Sequence, residues 1–145
     1  MAGQRENPAE ADDGMGKGRL TMFRIFMRLG SANAFLAVCL GAFGAHGLKN
    51  SISPDMLAVY ETGVHYHLVH ALALLIVAAA ADKLGSGKIT WWSGWLLQLG
   101  ILLFSGSLYL LSLTGVTWLG IITPFGGVSF LAGWLLLFLA AWKRV

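Results

Sequence analysis

Glu61, His65, His67 and His70 crowd into YETGVHYHLVHALALL, residues 60–75, where a long apolar run begins. Imidazole can ligate a metal or haem, relay a proton or act as a base, and a nearby carboxylate can orient it. Helical spacing divides the set: at about 100° per residue His67 and His70 stand roughly 60° apart, whereas His65 lies about 140° from His70. One ion cannot take all three from a straight helix, and the zinc pair at i and i+4 with an acid between is absent. The metal arrangement left open joins His67 and His70 to His46, and the haem arrangement sets His46 against His67 or His70. Ser105 or Ser107 beside His70 is the minimum a hydrolase would need. No acid pair, nucleophile elbow, phosphate loop or nucleotide fingerprint accompanies them.

The elements that must position these groups are membrane helices. The chain has 145 residues, 57% of them hydrophobic and 12% charged, where a soluble domain carries roughly a quarter charged. Spanning a bilayer takes about 20 apolar residues in a helix, because backbone polar groups find no partner in lipid. Four stretches qualify: Ile25 to Ala45, Gly63 to Ala81, Trp91 to Leu113 and Pro124 to Trp142. The expected fold is all-α, an integral membrane four-helix bundle forming one domain over residues 19–145 and preceded by a flexible polar tail at 1–18. That tail is too polar to offset the entropy of ordering. Cys39, the only cysteine, excludes an intrachain disulfide and reads as a packed apolar residue.

Lys17, Arg19, Arg24, Arg28, Lys83, Lys88, Lys143 and Arg144 flank the apolar stretches, so the net charge of +3 marks membrane anchors and no nucleic-acid surface. Their distribution predicts both termini in the cytoplasm and a plasma-membrane protein. That orientation places His46, Glu61, Tyr66, His70, Ser105, Ser107, Tyr109 and Thr123 in the outer half, as one polar cluster with His65 and His67 nearby. Asn33 and Gln98 fall in the inner half, level enough to hydrogen-bond across helices. A proton path would need titratable groups there, and neither amide titrates.

Ser53-Pro54-Asp55 predicts an N-cap and helix start, and Thr123-Pro124 repeats that signal. Glu61 and His65 are expected to pair at i and i+4, and His67 and His70 to bond hydroxyls of helix three or backbone at the start of helix four. Ala37, Gly41 and Ala45 on helix one, with Ser129 and Gly133 on helix four, give small-residue packing faces that could also serve a dimer.

GAFGAHGL, ETGVHYHLVHALAL, FSGSLYLLSLTG and ITPFGGVSFLAGWLLL follow one another along residues 22–142. In these motifs the chain resembles the small membrane proteins grouped as domain of unknown function 423, and is similar also to transmembrane protein 256. The resemblance implies four membrane helices and no established activity. It carries motif positions onto Gly41, Gly44, His46, Tyr66, His70, Ser105, Gly106, Ser107, Tyr109, Thr123, Pro124, Gly126 and Gly127. The family pattern often has glutamine at position 67 and requires no histidine at 65, so a shared role would rest on His46 and His70. The leading expectation is a non-enzymatic membrane protein without a cofactor, its polar cluster structural or binding a lipid, a membrane-protein partner or further copies of the chain. The alternative is a metal- or haem-binding redox protein using His46 and His70.

Overall fold

A computed structural model describes residues 8–84 and 87–143. Helix α1 runs Pro8–Phe43 and continues through a π turn, Gly44–Leu48. Among the described residues it reaches back to Pro8, into the stretch expected as a polar tail. Residues 1–7 of that stretch lie outside the described residues. α2 spans Pro54–Leu84. Its start is local chemistry: the Met56 N–H donates to Ser53 Oγ at 3.3 Å, as the Ser-Pro-Asp signal predicts.

The third crossing is compound: α3, Lys88–Gly100, passes through a second π turn at Ile101–Ser105 into α4, Gly106–Thr114. Gly115 ends α4 in the left-handed region, φ +71°, and its N–H caps Leu111 O at 2.9 Å. A short 3-10 segment, Thr117–Ile121, leads to α5, Thr123–Trp142. The four stretches long and apolar enough to cross a membrane are Gly16–Leu48, Pro54–Ala81, Lys88–Thr114 and Thr117–Trp142.

These helices form an extended bundle in which α1 packs on α2, α2 on α3 and α4, and α3 on α5. In the most apolar 18-residue stretch of each span, 44% and 39% of residues are buried in the two central ones and 22% in each flanking one. Lipid therefore meets most of α1 and α5, which explains why Phe35, Val38, Leu131 and Phe138 lie exposed. Cys39 is exposed too, on the outward face of α1, and not packed as expected.

The small-residue faces are used inside the chain. Ala37 is buried, and Gly41 and Gly44 admit Val64 and Tyr60 of α2. On the other side Ser93 donates to Gly133 O and Ser129 to Leu96 O, both at 2.8 Å, stitching α3 to α5 from both helices. Between these seams Met22, Phe26, Leu74, Val77, Leu97, Ile101 and Phe130 make the core.

Candidate functional site

The α1–α2 seam brings Asn33 level with His67, and this contact organises the buried polar groups. Asn33 Nδ2 donates to Leu29 O at 2.8 Å and to Gln98 Oε1 at 2.9 Å. With the amide nitrogen committed to a carbonyl, Oδ1 must face His67 Nε2, 3.0 Å away, so that nitrogen carries the proton. His67 Nδ1 is then an acceptor, and the Tyr109 hydroxyl donates to it across 3.1 Å. Tyr109, His67, Asn33 and Gln98 thus form one hydrogen-bonded chain through α4, α2, α1 and α3. Asn33, His67 and Gln98 are all buried.

Depth corrects the sequence reading. His67 stands thirteen residues from Pro54 and fourteen from Ala81, at the middle of its span, and Asn33 is likewise central between Gly16 and Leu48. The two were expected in opposite halves. The 3.0 Å contact puts Asn33 and His67 at one level of the bundle. Tyr109 lies toward the Thr114 end of the third crossing and Gln98 toward its Lys88 end.

One turn further along α2, His70 has different partners. Its Nδ1 donates to Tyr66 O at 2.8 Å, and the Trp134 indole N–H donates to its Nε2 at 3.2 Å. Neither a helix-three hydroxyl nor the start of α5 meets it, contrary to expectation. Its ring stacks on Phe130, centroids 3.4 Å apart and planes within 12°. Tyr66 and Phe104 complete an aromatic group, with ring centroids 4.6 Å apart. Together with Gly127, Phe130 and Trp134 they wall a cavity of about 380 Å³ between α2, α5 and the second π turn. Tyr66, Leu131 and Trp134 are exposed at its edge, so it opens sideways toward the lipid.

The other expected cluster members disperse. Ser107 donates to Phe104 O at 2.9 Å, so the Thr123 hydroxyl, 2.8 Å away, is the donor to Ser107 Oγ. Thr123 is therefore no cap; Ile122 takes that position, and α5 has no side-chain cap. Ser105 Oγ is buried in the π turn with no hydrogen-bond partner among the described residues. Glu61 and His65 line a second cavity of about 300 Å³ with Gly41 and Gly44. Among the described residues no hydrogen bond or ion pair joins these two, and His65 instead packs edge-on against Tyr66. His46 is exposed on the first π turn, shares no cavity with His70, and has no polar partner among the described residues. Both ring nitrogens of His70 are already engaged, so His46 and His70 do not converge. Among the described residues no three His, Cys, Asp or Glu side chains group as metal ligands.

Sequence reasoning passed over Trp134 and Phe130. Trp134 carried a usable signal, since an indole N–H in the middle of a membrane helix needs an acceptor.

A family model described as "Protein of unknown function (DUF423)" matches residues 40–127, more than half of the chain. The chain belongs to the DUF423 family. Among its relatives, the UPF0382 membrane protein YwdK of Bacillus subtilis (strain 168) is 54% identical over 121 residues, 83% of this chain and 98% of the relative. A UPF0382 membrane protein of Staphylococcus aureus (strain bovine RF122 / ET3-1) is 48% identical, covering 83% of this chain and 97% of its own. One from Staphylococcus haemolyticus (strain JCSC1435) is 44% identical over 123 residues, 84% and 98% of the two chains. No solved structure matches the chain. With four apolar helices, it is a multi-pass membrane protein of an uncharacterised family. The DUF423 match contains His67, His70, Tyr109 and Gly127, whereas Asn33 and Trp134 lie outside it.

Proposed function

We propose that this DUF423 protein is a non-enzymatic membrane protein that takes a lipid-soluble molecule from the bilayer into the cavity beside His70. The observation that carries this reading is the lining: aromatic rings from three segments surround an opening of about 380 Å³ at the lipid-facing edge of the bundle. Small-molecule sites are typically concave, mostly apolar and equipped with a few oriented polar groups. The hydrogen-bonded chain through Asn33 and His67 serves the cavity structurally, by holding α2 in place relative to α1, α3 and α4. Both termini face the cytoplasm in this account, supported by the placement of Lys17, Arg19, Arg24, Arg28, Lys83, Lys88, Lys143 and Arg144.

Gly127 offers the test. A Cβ added there touches only the Phe104 ring, at 3.9 Å, so a leucine side chain enters the cavity without pushing backbone aside. Gly127→Leu is expected to keep the protein folded and to remove a neutral molecule that extracts with wild-type protein at close to one per chain. Identical extracts from the two proteins would contradict the reading.

A further inference from the structure

The Tyr66 hydroxyl is the unused polar group of this cavity. Tyr66 lines the opening and is 41% exposed, yet its hydroxyl has no hydrogen-bond partner among the described residues. It lies on an apolar helix long enough to cross a membrane, where lipid around the opening offers that hydroxyl no partner. The neighbouring polar groups are spent: His70 uses both ring nitrogens and Trp134 its only N–H. A molecule entering the cavity therefore meets one free donor set among aromatic faces. Phe104, Phe130 and Trp134 favour a flat ring, which stacks on them or meets them edge-on. The hydroxyl favours an acceptor on that ring. No cation or anion is suited to the place, because no charged side chain lines it.

We propose that the ligand is a flat, uncharged, carbonyl-bearing ring compound of the lipid-soluble quinone class, and that Tyr66 selects it by donating to a ring carbonyl. The proposal rests on the reading of the cavity as a ligand site and adds the chemical class. One hydrogen bond made in the membrane discriminates by about three- to tenfold.

Menadione and methylnaphthalene share their ring and methyl group and differ in the two carbonyls, so the pair isolates this contact. The full chain in lipid nanodiscs, measured by equilibrium uptake against empty nanodiscs, is expected to hold menadione about three- to tenfold more tightly than methylnaphthalene. Tyr66→Phe keeps the ring and removes an unpartnered hydroxyl, leaving no orphaned group behind. It is expected to bring menadione down to the level of methylnaphthalene and leave the latter unchanged. Gly127→Leu is expected to abolish uptake of both. Equal uptake of the two probes by wild-type protein, or a preference that survives in Tyr66→Phe, would overturn the assignment of the ligand class. Undiminished uptake by Gly127→Leu would instead overturn the cavity itself as the site.

Discussion

Asn33→Leu is expected to destabilise the folded protein by roughly 2–3 kcal/mol, measured by reversible unfolding in bicelles. Asn33 is the hub of the polar chain, and leucine removes its bonds to Leu29 O, Gln98 Oε1 and His67 Nε2 together. Single interhelical hydrogen bonds in membranes average about 0.6 kcal/mol. The larger figure arises because His67 Nε2–H and Gln98 Oε1 remain buried without partners, at about 1–3 kcal/mol for each group left unsatisfied. Ser31→Leu, on the exposed side of the same helix, should stay within about 0.5 kcal/mol of wild type. Asn33→Leu combined with His67→Leu should cost less than the sum of the two, since each single change already disables the shared bond. Additive costs would mean that the two side chains do not act as one unit.

The second large effect separates two adjacent glycines. At Gly126, α5 approaches the third crossing so closely that an added Cβ would meet the Phe104 backbone nitrogen and lie 2.7 Å from Phe104 Cα. Backbone cannot rotate aside as a side chain can, so Gly126→Ala must push α5 away from the π turn. The expected cost is about 2–3 kcal/mol, the range of overpacking in a filled interior. That displacement also moves Thr123 from Ser107 and disturbs the mouth of the aromatic cavity. Gly127→Ala meets nothing closer than 3.9 Å and replaces a poor helix former, so it should stabilise by roughly 0.5–1 kcal/mol. Opposite signs at neighbouring positions are the signature of this packing. Similar costs at both would indicate that α5 sits elsewhere.

Local chemistry made part of this structure legible in the sequence. The four apolar stretches and the Ser53 cap depend on nothing beyond their own neighbourhood, and Asn33 and Gln98 were found because buried amides in lipid must pair. Partner choice was harder to read. Thr123 looked like a cap, but Ser107 from the preceding helix offered its hydroxyl a better-placed acceptor. The family pattern, with glutamine often at position 67, points away from His67; its bond to the Tyr109 hydroxyl of the third crossing is as expected, whereas helical angles cannot tell that α1 supplies its other partner, Asn33. His46 and His70 drew attention as family motif positions, yet the π turn leaves His46 exposed. No residue pattern announces a π turn, and both of them re-aim the residues that follow.

Side-chain protonation within the bundle offers the most direct test of the central claim, that His67 links four helices while His70 is fixed by Tyr66 and Trp134. The partners impose opposite forms: the proton on Nε2 in His67, bound to Asn33, and on Nδ1 in His70, bound to Tyr66 O. Solid-state nitrogen NMR of histidine-labelled protein in bilayers, assigned with His67→Gln and His70→Gln, reads these forms separately. One Nε2–H and one Nδ1–H imidazole at these two positions is the predicted result. Both histidines in the same form, or either interconverting freely between the two, would contradict it.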